Sequence, residues 1–227
     1  MIASFSVSQF IVHGGLFMYL LLACSIVSLA TIFHRAWTLR REKVIPSWLW
    51  NQIEALKPGG ESRESIARLE SSLEDIYQGT RTNNSALSRI TQLAISHLEW
   101  PRMENMEAVQ TRARAEVHKL EAGLSVLEVI VGIAPLLGLL GAVSGLVTVF
   151  SVLGTSETIT DPRGIALGIS EALNTTIAGL AIAIPSLIAH SYFSKKVETL
   201  AVEMEAITGA FLTKCYSRHA VVTEVKS

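Results

Sequence analysis

Charge is scarce in this chain. Asp, Glu, Lys and Arg make up 17% of its 227 residues, against about 25% in an average soluble protein. The little charge present is balanced, with 19 Lys and Arg against 20 Asp and Glu and a formal net charge of -1. That balance excludes a basic nucleic-acid binder and an acidic disordered tail. Cysteine is nearly absent as well. Cys24 and Cys215 stand near opposite ends of the sequence and form no C-x-x-C pair, so neither a disulfide framework nor a zinc cluster is indicated. The six histidines are scattered. There is no G-x-x-x-x-G-K-[ST] phosphate loop, no H-E-x-x-H helix and no Ser/His/Asp set placed by motif. The expectation is a protein that is not an enzyme and uses no cofactor or metal. Hydrophobic residues, in contrast, reach 49% and the mean hydropathy is +0.40, a composition suited to a lipid bilayer.

Three long apolar runs carry that composition. The first covers residues 11–33 with His13 as its one ionisable side chain, about 35 Å as a helix and long enough to cross a bilayer. A cleavable signal peptide has a basic start and an apolar core of roughly 7 to 15 residues. Here no Lys or Arg precedes Arg35, so a retained anchor is expected. The second run, residues 129–154, has no charge, and the third, residues 165–193, has one acidic side chain, Glu171. Every Lys and Arg except Arg163 falls within 35–119 or 195–226, and basic residues favour the cytoplasmic side. The sequence therefore predicts an all-α integral membrane protein with three transmembrane helices, N-terminus out and C-terminus in. Its parts are an N-terminal segment and first helix (1–34), a cytoplasmic helical domain (35–128), a second helix (129–154), a periplasmic loop (155–164) with Asp161-Pro162 as turn signal, a third helix (165–193) and a cytoplasmic C-terminal helix (194–227).

The cytoplasmic domain is expected to be a small helical bundle broken at Pro58-Gly59-Gly60 and over residues 79–84. Ahead of the second span, Met106, Val109, Ala113, Val117, Leu120, Leu124, Leu127 and Val131 recur at spacings of three and four, with Glu107, Arg112, Arg114, Glu116 and Lys119 off the stripe. No breaker is evident, so one helix of about 50 residues is predicted to run from the cytoplasm through the bilayer. After the third span, Val197, Leu200, Met204, Ile207, Phe211 and Cys215 repeat the spacing. Both spans would then extend inward as a paired stalk. A helix lying on the membrane surface is the alternative, disfavoured because the stripes carry few basic residues for lipid headgroups.

Within the second span, Ala134, Gly138, Gly141 and Gly145 fall within about 60° of each other on a helical wheel. Such a small-residue face lets another helix approach closely, whereas Leu136, Leu140, Val143 and Val147 lie elsewhere. Within the third, Ala172, Thr176, Gly179, Ala183, Ser186 and His190 share a narrow stripe beside a greasy one of Leu173, Ile177, Leu180, Ile184 and Leu187. Pro135 and Pro185 are candidate kinks. Thr176 is the polar centre of its stripe. A buried Thr in a membrane helix commonly bonds its own backbone one turn back, so a hydroxyl alone does not define a site. Glu171 is the stronger signal, because a carboxylate in hydrocarbon costs several kcal/mol unless it is neutral, paired or facing water. It either snorkels to the interface or meets a pore or a partner. Glu171 and Thr176 are about 140° apart on an ideal wheel, so both line one passage only at a subunit seam or across a bend.

The stretch from Ala134 to Gly145, with Pro135, Gly138, Gly141 and Gly145, resembles the MotA/TolQ/ExbB family of ion-driven motor subunits. So does the stretch from Gly168 through Glu171, Gly179 and Ala183 to Pro185. The likeness is nearest to the three-span ExbB/TolQ branch and covers roughly residues 100–215. It implies a homopentamer whose second and third spans enclose a pore. Inside would sit a dimer of a single-span ExbD/TolR-like partner bringing a protonatable Asp, and a TonB-like protein would carry force to the outer membrane. By motif position, the family's pore threonine and glutamate map onto Thr176 and Glu171, with Thr175 and Asn174 beside them as further polar groups. Gly138, Gly141, Ala142, Gly145, Gly179 and Ala183 would line the pore or pack the helices. One departure is informative. The family usually has Thr where this chain has Ala142, which removes a hydroxyl per subunit. A sodium-like ion needs several oxygens, so the loss favours protons. The driving energy would be about 2.3 kcal/mol per charge per 100 mV. A TolQ-like role in envelope integrity, or a non-conducting membrane scaffold, are the alternatives.

Overall fold

A computed structural model describes residues 15–57, 63–155 and 162–224, and the described residues contain helices and no strand. The helices are α1 (Gly15–Thr38), α2 (Arg41–Val44), α3 (Ser47–Ala55), α4 (Arg63–Thr82), α5 (Ala86–Ser96), α6 (Arg102–Glu121), α7 (Leu124–Thr155) and α8 (Pro162–Glu224). The predicted residues 1–14, the Pro58-Gly59-Gly60 break and most of the expected loop between the second and third spans lie outside the described residues. Three helices are long and apolar enough to cross a membrane: Leu16–Thr38, Leu124–Ser151 and a stretch within Gly164–Tyr216.

The chain divides into two compact units. The first takes the described residues through Arg35 with those of Gly123–Phe193. Its buried cluster is small, consisting of Leu21, Ile130, Ala134 and Ala183 with Cys24, Leu137, Ala178 and Ile182 packed around it. The second takes Ala36–Ala122 and the described residues from Ser194 onward. It is the expected helical bundle, with a core that includes Leu49, Ile53, Leu87, Ile90 and Val109 from α3, α5 and α6, and Leu200, Met204, Ile207 and Phe211 from α8.

The stripe predicted after the third span lies inside this core rather than on a membrane surface. Val197, Leu200, Met204, Ile207, Phe211 and Cys215 are all buried. Local chemistry fixes the helices that meet it. Ser85 caps α5 by accepting the Ser88 amide, as an N-cap hydroxyl does. Lys214 donates to the last carbonyls of α3, Ile53 O at 2.8 Å and Glu54 O at 2.7 Å, where a cation also complements the helix dipole. Asn105, fully buried, donates to Ala94 O and to the Tyr216 hydroxyl.

Three expectations are corrected. The single helix of about 50 residues is two helices, with a turn at Ala122–Gly123 between α6 and α7. Gly123 is required there because a Cβ would collide with the guanidinium of Arg35. Gly79 does not break the chain but lies inside α4, where a Cβ would come within 2.8 Å of the Trp48 ring; the break follows Thr82. Glu116 is buried rather than exposed and pairs with Arg89 of α5 and with Arg112 and Lys119 of its own helix. Burial pushes its carboxyl up. The hydrogen bonds and charges of Arg89 and Lys119 outweigh that and hold it below the ordinary Glu value.

Candidate functional site

In the first unit α7 and α8 cross with their backbones in contact. A Cβ added at Gly138 would lie 2.9 Å from Thr175 O and 3.2 Å from the Gly179 Cα; one added at Gly179 would lie 2.6 Å from Ala134 O and 3.1 Å from the Gly138 Cα. No side chain fits between the two helices at that level. Toward the C-terminal end of α7 the contact continues through small groups, with Gly141 against the Thr175 methyl and the Phe17 Cβ, and Gly145 against the Ala172 Cβ. Lipid tails are as apolar as leucine, so helices in a bilayer gain by close packing and interhelical hydrogen bonds rather than by hiding grease. The faces are distributed accordingly, since Ala134, Ala142, Ala172 and Ala183 are buried whereas Leu136, Leu140, Val147, Leu173, Ile177 and Ile184 are exposed.

The hydroxyls at the crossing behave differently from one another. Thr175 is 2% exposed and donates to Glu171 O one turn back at 3.0 Å, the ordinary arrangement for a Thr inside a helix. Thr176 is half-buried and reaches across the crossing, where its hydroxyl is 3.4 Å from Gly138 O. Glu171 and Asn174 are half-buried on the same helix. No described hydrogen bond joins the Glu171 carboxylate to Thr176. Ala142, where the resemblance leads one to expect Thr, is 8% exposed. Pro135 and Pro185 both lie inside uninterrupted helices.

A further hydroxyl pair was not anticipated from the sequence. Ser28 of α1 and Ser186 of α8, both buried, are 2.6 Å apart, and Ser186 donates to Ile182 O at 2.7 Å, so Ser28 supplies the proton between them. Ser28 lies seven residues after Leu21, another buried position of α1. That spacing is the one sign in the sequence of an inward-facing hydroxyl. Among the described residues no group of three His, Cys, Asp or Glu is placed to hold a metal ion.

Three apolar helices, two of them in backbone contact with hydroxyls at the crossing and Glu171 one turn before Thr175, define a helical membrane protein with polar groups inside its spans. Residues 82–206 match the MotA/TolQ/ExbB proton channel family, and the chain belongs to that family. It is 33% identical over 183 residues to the putative biopolymer transport protein ExbB-like 1 of Synechocystis, covering 77% of this chain and 65% of that protein. It is 29% identical over 194 residues to a putative biopolymer transport protein ExbB homolog of Methanothermobacter thermautotrophicus, covering 86% of this chain and again 65% of the relative. To the Tol-Pal system protein TolQ of Pseudomonas aeruginosa it is 31% identical over 189 residues, covering 82% of this chain and 80% of that protein. The chain thus spans just under two thirds of the length of the first two relatives. The matched region contains the α7–α8 crossing and the α5–α6 pair of the bundle.

Proposed function

We propose that this chain is the channel-forming subunit of a proton-driven motor in the bacterial inner membrane, energising transport across the outer membrane in the manner of ExbB. In this reading the subunit lies N-terminus out and C-terminus in and assembles as a homopentamer around a dimer of a single-span ExbD/TolR-like partner. A TonB-like protein transmits the force. The observation that carries the proposal is the contrast at the α7–α8 crossing. Thr175 is sealed within the chain, whereas Thr176 stands at the edge of the helix pair with its hydroxyl directed across the seam. Thr176 is then the group on the ion path, Thr175 a packing residue, and Glu171 the carboxylate facing the partner or the next copy. With Ala142 in place of a hydroxyl, the ring has fewer oxygens to strip a metal ion of its water, so protons are the transported species.

Replacing Thr176 with Val keeps the shape and removes the hydroxyl. The variant is expected to assemble normally and to lose ion-driven uptake through the outer membrane; full uptake would show that Thr176 is not on the path and would favour a scaffold. For Glu171, Ala is expected to weaken assembly or coupling and Gln to do so less. Wild-type behaviour of both would leave the carboxylate snorkelling at the interface. A second reading, a TolQ-like role in envelope integrity, draws on the 80% coverage of the Pseudomonas aeruginosa TolQ. It shares the mechanism, and a deletion that impairs the envelope barrier while sparing outer-membrane uptake would select it.

A further inference from the structure

The C-terminal end of the first span carries a cluster that the ion path does not use. Trp37 stands in the last turn of α1 and is 63% exposed. Beyond it the chain turns so that the Arg40 guanidinium lies 5.4 Å and the Lys43 ammonium 5.2 Å from the centre of the indole ring. Two cations therefore share one aromatic ring. The ring attracts each of them, and neither gains an ion pair, because the neighbouring carboxylates are committed elsewhere. Glu42 accepts the Ser47 amide at 3.0 Å and the Ser47 hydroxyl at 2.8 Å, and Glu203 is held by Arg41. Among the described residues no ion pair reaches Arg40 or Lys43. By contrast, Lys195 on α8 has Glu198 at 2.8 Å.

This arrangement calls for an anion, and its place says which kind. The candidate span ends at Thr38, so the cluster stands where a membrane helix passes from hydrocarbon to water, the level at which Trp and basic side chains meet headgroups. A phosphodiester held by these cations, at the level where the span ends, would supply the anion they lack. We propose that Trp37, Arg40 and Lys43 form a headgroup site for an anionic phospholipid, in the leaflet that meets the C-terminal end of the first span.

The test uses the full-length assembly in nanodiscs of phosphatidylcholine mixed with phosphatidylglycerol, with retained lipid counted by native mass spectrometry. The unmodified protein is expected to prefer phosphatidylglycerol. Arg40→Gln with Lys43→Gln is expected to lower that preference about 25-fold, since each basic residue near an anionic surface contributes about a factor of five. Lys57→Gln with Arg81→Gln, which removes equal charge from exposed positions elsewhere, is expected to leave it unchanged. Trp37→Phe, a weaker cation partner, is expected to fall between. Equal losses in the two double variants, or no loss in the first, would overturn the proposal. So would displacement of the retained lipid by millimolar inorganic phosphate, which would mark a site for a free anion. On the unmodified protein, where folding is not in question, a preference unaffected by 1 M salt would also overturn it.

Discussion

One helix, α8, is buried by two different rules along its length. In the first unit its buried positions are Ala172, Thr175, Gly179, Ala183 and Ser186, with Phe193 at the unit's end; in the second they include Val197, Leu200, Met204, Ile207 and Phe211. Up to Ser186 the stripe is small and partly polar, and from Phe193 onward it is large and mostly apolar. The helix geometry is the same, so the difference records the solvent. In water, removing large apolar side chains is the main source of stability, about 25 cal/mol per Å². In lipid that gain vanishes, and backbone contact through Gly138 and Gly179 with bonds such as Ser28 to Ser186 takes its place. The exposed leucines of the first unit are therefore no defect, as the same residues would be on the second.

Breaking the crossing is expected to have the largest effect. Gly179→Val inserts a branched side chain where even a Cβ lies 2.6 Å from Ala134 O, and backbone atoms cannot turn aside. This exceeds the about 1–3 kcal/mol usual for overpacking, and no folded assembly is expected on gel filtration in detergent. Phe211→Ala attacks the other rule. With the side chain fully buried, a loss of about 3–5 kcal/mol is expected, read as a drop in the thermal midpoint of the bundle.

Glu116→Gln sharpens the comparison within the second unit. Its ion pairs involve a buried carboxylate and three partly exposed cations, for which about 1.5–3 kcal/mol is expected. The folded carboxyl is held below its ordinary value, so its contribution is complete above the unfolded value of about 4.3. It is lost as pH falls through the lower folded value. Acid melting curves of the Gln variant are therefore expected to be flatter below about pH 4.3 than those of the unmodified protein. The smallest effect is expected from Ser28→Ala. Removing one interhelical hydrogen bond in a membrane costs about 0.6 kcal/mol, and Ser186 keeps its bond to Ile182 O. A loss above about 2 kcal/mol would mean that polar bonding rather than close packing holds the first span.

Much of this was readable in the sequence because it rests on local patterns. Long apolar runs with little or no charge marked the spans, three-and-four spacing marked the α8 stripe, and the glycines at 138, 141 and 145 marked a face of close approach. What escaped depends on residues distant along the chain. Gly123 looks tolerable in a helical pattern until Arg35, from another helix, occupies the space of its Cβ. Glu116 reads as solvated from its own helix, although Arg112 and Lys119 stand at i−4 and i+3; its burial comes with Arg89 from α5. Ser28 and Ser186 find each other across 158 positions. The wheel and the motif singled out Thr176, but that Thr175 is the more buried of the two and bonds back to Glu171 O while Thr176 faces Gly138 O depends on where the neighbouring helix is placed.

That last difference gives the most direct measurement. Proton flux into liposomes containing the subunit with its single-span partner is to be compared for Thr176→Val and Thr175→Val, both checked for intact assembly. Flux lost in the first and retained in the second is the predicted result; flux retained in the first would contradict the assignment of Thr176 to the ion path.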